Sequence, residues 1–159
     1  MDAGMNKINQ LLEHLNISQV FIAGQIPTDM INFCKENPEK VSGIGLIGTT
    51  EIDSSPFKSH GHRTIIISSN KGITHSAASN LKSDIPGVRN LELKDYEILP
   101  WTNIALDRAS ELVEGLTTFF LGLNCNETTI HKATSEGKID DIYYTIKGVG
   151  PPLILLPFM

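Results

Sequence analysis

VFIAGQIPTD, residues Val20 to Asp29, decides the fold. Val20, Phe21, Ile22 and Ala23 are apolar without alternation, as in a strand of a parallel sheet covered on both faces. Gly24 opens a tight turn. Pro27 suits the first positions of a helix whose buried face is marked by Met30, Ile31 and Cys34 and which stops at Asn37-Pro38. Ile26 is β-branched and precedes proline, so it is a poor occupant of positive φ. The spacing therefore predicts a relaxed strand-to-helix connection.

The same alternation of elements continues outward in both directions. Upstream, Met5, Ile8, Leu11, Leu12 and Leu15 recur at helical spacing over residues 5–15. Downstream, SGIGLIG (Ser42–Gly48) and RTIIIS (Arg63–Ser68) read as buried strands, with Ser76–Ser83 a short helix and Asn90–Leu93 a fourth strand. Leu106, Ala109, Leu112, Val113, Leu116, Phe119 and Phe120 predict one long helix. Residues 49–62 are polar and read as a loop. Residues 123–138 read as a linker, and Ile142–Lys147 and Leu153–Leu156 are strand candidates around a Gly-Val-Gly-Pro-Pro turn. Alternation of this kind defines an α/β fold, mostly a parallel sheet flanked by helices.

The 159 residues suffice for one domain-sized core. Net charge is −5, and the 13 Lys and Arg residues are scattered, which argues against a nucleic-acid partner. The longest apolar run, Leu153–Leu156, is too short to enter a bilayer as a span, and MDAGMNKINQ is no signal peptide. Two isolated cysteines, Cys34 and Cys125, suit a cytoplasmic setting.

Four segments resemble the α/β-hydrolase family, in the family's order. FIAGQIPTDMINFCKENPEKVSGIGLIGTT (Phe21–Thr50) is similar to the nucleophile-elbow strand, its helix and the next strand. RTIIISSNKGITHSAASNLKSDIPGVRNLEL (Arg63–Leu93) is similar to the strand bearing the family's acid. YEILPWTNIALDRASELVEGLTTFFLG (Tyr96–Gly122) resembles the histidine loop and last helix, with Leu99-Pro100-Trp101 as its step. IYYTIKGVGPPLILLPFM (Ile142–Met159) resembles the opening of a hydrolase domain. The resemblance implies residues 1–122 as a hydrolase-like C-terminal half, 123–138 as linker and 139–159 as the start of a hydrolase-like β-unit.

Carried over by position, the catalytic apparatus is absent. In the elbow pattern G-x-S-x-G the serine falls on Ile26 and the last glycine on Thr28, while Pro27 has no N–H to give an oxyanion. The acid position falls on Lys71 or Gly72, and the histidine position on Ile98. The 14 residues 49–62 are too few for a cap, so any pocket is expected to be open and shallow. The resemblance thus implies a partial or permuted fold without a cap and a catalytically degenerate module, binding or structural. The alternative is an esterase-type serine hydrolase completed by another domain or by residues outside the usual positions.

Other motifs weigh less. Gly43–Gly48 matches G-x-G-x-x-G, but its glycines lie inside the strand, where small residues allow helices close approach. Ser68-Ser69-Asn70-Lys71 matches S-x-x-K but leaves a strand end rather than a helical turn. His60-Gly61-His62 lacks further ligands at metal spacing and reads as a solvated loop. Glu92 and Glu97 show no arrangement for acid–base work, and Trp101 is expected against the last helix. No catalytic, cofactor or metal residue is assigned. Gln25, Ser68, Ser69 and His75 are candidate ligand-edge residues at the carboxyl edge of the sheet. Partners compatible with this reading are a small apolar ligand or a protein, with no nucleic acid and no membrane.

The order of segments leaves two arrangements. In one, the chain is a fragment of a tandem protein, which its ending directly after an apolar strand favours. In the other, a permuted fold docks Leu153–Leu156 beside Val20–Ala23 in parallel.

Overall fold

The computed structural model describes residues 3–25, 28–50, 52–99, 102–123 and 135–156. Helix α1 (Ala3–His14) leads into β1 (Val20–Gly24), α2 (Thr28–Glu36), β2 (Val41–Ile47) and β3 (Thr64–Ser69). Helix α3 (Gly72–Asp84), β4 (Arg89–Leu93), α4 (Ile104–Asp107) and α5 (Ala109–Leu121) follow. Three strands come last: β5 (Ser135–Ile139), β6 (Ile142–Ile146) and β7 (Leu153–Leu155). Five strands form one parallel sheet in the order β4-β3-β2-β1-β7.

Side chains alternate across each strand, so the uniformly apolar strands feed two cores. Val20, Ile22, Ile44, Leu46 and Ile66 pack with Leu12, Met30, Phe33 and Leu81 of the first three helices. On the opposite face Phe21, Ala23, Ile65 and Ile67 meet Leu112, Leu116 and Phe120 of α5. Phe21 and Phe120 stack with ring centroids 4.7 Å apart. The close approach of α5 depends on Gly43 and Gly45. A Cβ at Gly45 would stand 2.9 Å from the Ala23 Cβ and 3.0 Å from Leu116 Cδ2. One at Gly43 would stand 2.8 Å from Leu123 Cδ1. The glycine-rich strand therefore makes room for a helix, as its placement inside an apolar run implied.

Strand β7 docks on β1 in parallel, with Phe21 opposite Leu153, Ile22 opposite Ile154 and Ala23 opposite Leu155. Its flanks are tied as well: Phe21 N–H donates to the Pro152 carbonyl and Leu156 N–H to that of Ala23, each at 2.9 Å. This is the pairing that the permuted arrangement requires. The β5–β6 hairpin stands outside the sheet. It is held to α1 by the Lys7–Asp141 ion pair at 2.5 Å and by a 3.1 Å contact between His14 Nε2 and the Tyr144 hydroxyl.

Several expectations change in the structure. Residues 123–138 are not all linker, since Ser135 onward pairs in β5. The helix expected through Leu106 breaks at Arg108, whose φ of −133° leaves the helical region. Arg108 turns its guanidinium to the Lys94 carbonyl and to Glu111. Ile104 is buried in place of Leu106, which is 78% exposed. The short helix expected at Ser76–Ser83 extends over Gly72–Asp84.

The polar segment before β3 is a 3-10 helix, Ser55–Arg63, that buries Phe57 and His60. Residues three apart eclipse in a 3-10 turn, which puts both on one side. His60 is only 2% exposed, so it is not a solvated loop histidine. Ser59 Oγ lies 2.9 Å from Nδ1, and Nε2 lies 3.4 Å from the Pro38 carbonyl oxygen, an arrangement that suits neutral imidazole. Burial pushes the His60 pKa below its ordinary value, with Arg63 adding to the shift and the Pro38 carbonyl opposing it.

The unfolded chain then binds a proton more readily than the folded one. Stability is full above the ordinary histidine value of about 6.5 and is lost as pH falls from there towards the depressed folded value. The urea midpoint should drop between pH 7.5 and 5.5. The drop should shrink in His60→Asn, and an equal drop in both proteins would refute the assignment. Cys34 is likewise structural: burial pushes its thiol up to about 12, which leaves almost no thiolate at neutral pH.

Candidate functional site

From β1 the chain steps through β2, β3 and β4 on one side, whereas β7 joins on the other. Open α/β sheets bind ligands outside the carboxyl ends of their strands near such a reversal. A cleft of about 290 Å³ lies at that edge. Each of the loops after β1 to β4 contributes: Gln25 from the first, Gly48 to Thr50 from the second, Gly72 to Thr74 from the third and Glu97 to Leu99 from the fourth. The volume is at the low end for small-molecule sites.

The local geometry follows from the sequence at two glycines. Gly48 has φ +59°, the left-handed turn that ends β2 and sets Thr49 into the cleft wall. Gly72, at φ +72°, starts α3. A Cβ there would stand 2.7 Å from Glu97 Oε1, so the Glu97 carboxylate lies against the first turn of that helix. A carboxylate at a helix N-terminus meets the positive end of the helix dipole.

Ile98 is 5% exposed and belongs to the core on the α5 side. Its Cγ2 stands 3.0 Å from where a Gly48 Cβ would be. An aliphatic side chain thus occupies the position that the family resemblance gives to histidine. Lys71, at the acid position, is exposed and precedes α3 without a side-chain cap.

Of the four candidate edge residues, Gln25 alone lines the cleft. Ser69 lies beneath it: its hydroxyl donates to the Lys71 carbonyl at 2.8 Å and sits 2.5 Å from the Thr74 hydroxyl. It is thus Ser69 that bonds the Lys71 backbone, while Ser68, the serine of the S-x-x-K match, donates to Asn90 instead. Ser68 and His75 belong to a second group on the β3–β4 side. Ser68 is 1% exposed, lies opposite Glu92 in the sheet and donates to Asn90 Oδ1 at 3.3 Å. His75 Nδ1 is 3.4 Å from Glu92 Oε2 at the surface. Glu92 thus has a partner that spacing along the chain did not reveal.

Thr49 was not singled out by sequence. It is 4% exposed, and its Oγ1 is buried without a hydrogen-bond partner. No motif marks it; its position follows from the turn at Gly48. The Ile26-Pro27 turn, Pro100-Trp101 and Cys125 lie outside the described residues. Among the described residues, no group of three His, Cys, Asp or Glu side chains could hold a metal ion. No helix among them is long and apolar enough to cross a membrane.

Five parallel strands flanked by helices, with the last described strand beside the first, define an α/β fold built on one parallel sheet. Among solved structures the chain is similar to the crystal structure of a predicted CIB-like hydrolase from Thermoplasma acidophilum, with a TM-score of 0.60 and 16% identity. The match covers 76% of this chain and 59% of the other, so the chain spans about three-fifths of that hydrolase. At this identity the likeness concerns the fold. No family model and no curated protein matches the sequence.

Proposed function

We propose that the protein is a catalytically degenerate hydrolase-like module, a pseudoenzyme or part of a larger tandem protein, that acts by binding. The observation that carries this reading is Ile98 packed against the Gly48 turn, where a hydrolase of this fold would need an imidazole. An aliphatic side chain accepts no proton, so no water or hydroxyl can be activated from that position. A boundary after residue 122 belongs to the same proposal, as does a cytoplasmic setting, which two isolated cysteines suit.

A second reading rests on the contact between His75 and Glu92 beside Ser68, the outline of a serine, a base and an orienting acid. Against it, the Ser68 hydroxyl is buried and already donates to Asn90. The test is hydrolysis of 4-nitrophenyl acetate by the purified chain, together with covalent labelling by a fluorophosphonate. The degenerate module gives neither turnover above buffer nor labelling. Turnover and labelling that vanish in Ser68→Ala would establish the second reading instead.

A further inference from the structure

We infer that the cleft binds a small neutral molecule with a short apolar body and one amide or hydroxyl head, anchored on Thr49. The inference rests on the binding role proposed above and names the ligand class. Thr49 lines the cleft and is 4% exposed, and its hydroxyl has no hydrogen-bond partner. Buried polar groups in folded proteins are nearly always paired, so an orphan in a cleft wall points to a partner from outside the chain. The hydroxyl is buried in the wall, so pairing with a ligand requires Thr49 to turn to another of the few χ1 rotamers that threonine populates.

The remaining walls set the ligand's other properties. Ile52, Ile73 and Ile98 supply apolar surface, and Ile73 is 70% exposed, apolar area that a ligand would cover. The N-terminus of α3 would favour an anion, but the Glu97 carboxylate already occupies that end. A second negative charge would face Glu97 across a cleft that excludes part of the water. The amide or hydroxyl of a neutral ligand can instead donate to Glu97 and pair with Thr49. A volume of about 290 Å³ holds on the order of ten non-hydrogen atoms, taking the share of one water in the liquid as a guide.

Hexanamide and hexanoate are matched in size and differ in charge, so they separate the two chemistries. Titrations of the full chain, followed by amide NMR shifts and calorimetry, should give hexanamide a Kd on the order of 1 mM. The shifts should fall at Gly48–Thr50 and Ile73–Thr74, with hexanoate at least tenfold weaker. Thr49→Val should weaken hexanamide about tenfold without lowering the Tm, since the substitution removes an unpaired hydroxyl. Thr49→Ser should retain binding, and Glu97→Gln should narrow the gap between the two ligands. Absence of hexanamide shifts, equal affinity in Thr49→Val, or preference for hexanoate each overturns the inference. None of these results bears on the non-catalytic reading, which stands or falls on the ester and labelling assays.

Discussion

Replacing Gly45 with valine will destabilise the protein by about 3 kcal/mol, the upper part of the range for overpacked cores. Local preference argues the opposite. Valine is a better strand residue than glycine, and a strand-interior glycine costs roughly 0.5–1 kcal/mol. Packing decides the sign. A Cβ at this position already stands 2.9 Å from Ala23 and 3.0 Å from Leu116, with Phe120 Cζ at 3.5 Å. Two further methyls have no space unless α5 moves away from the sheet. Urea unfolding should show a lower midpoint at unchanged slope. Adding Leu116→Ala should return part of the loss, a positive coupling between contacting sites. A Gly45→Val protein as stable as the parent would mean that α5 does not press on β2.

A loss of similar size, about 3 kcal/mol or more, is expected for Ile154→Asp. Ile154 sits opposite Ile22 and packs against the core on the side of the first three helices. An aspartate there is pushed towards its neutral form by burial, so its folded pKa rises above about 3.9. The folded state then holds the proton more tightly than the unfolded state. The penalty is therefore smallest below that value and grows as pH rises through the raised one. Ile154→Ala loses packing alone and should show no such pH slope. If both variants lose under 1 kcal/mol at every pH, β7 is an ornament of the sheet and the compact permuted arrangement fails.

Much of the architecture was legible along the chain. The unbroken apolar runs at Val20–Ala23 and Ile65–Ile67 require cover on both sheet faces, and the helical spacing of Ile8 and Leu12 or of Leu112, Leu116 and Phe120 supplies that cover. Glycine placement inside β2 also spoke correctly for packing rather than for phosphate binding. The errors fall where a residue's role depends on contacts outside its own window. Leu106 fits the helical stripe, yet Arg108 finds better partners in Glu111 and Lys94 by leaving it. His60 looks polar and solvated until the 3-10 turn carries it inward beside Phe57.

The site was less legible for the same reason. Gln25 and Ile98 were reached through their positions in known motifs, whereas Thr49 and Glu97 carry no pattern that marks them for the cleft. Periodicity and turn chemistry are short-range, and they were enough to specify which segments are strands, which are helices and that the sheet is mostly parallel. Which strands become neighbours, and which loops meet at the carboxyl edge, depends on contacts between segments far apart in the chain. The docking of β7 beside β1, the orphan hydroxyl of Thr49 and the carboxylate of Glu97 at the start of α3 exist only once those segments have been brought together.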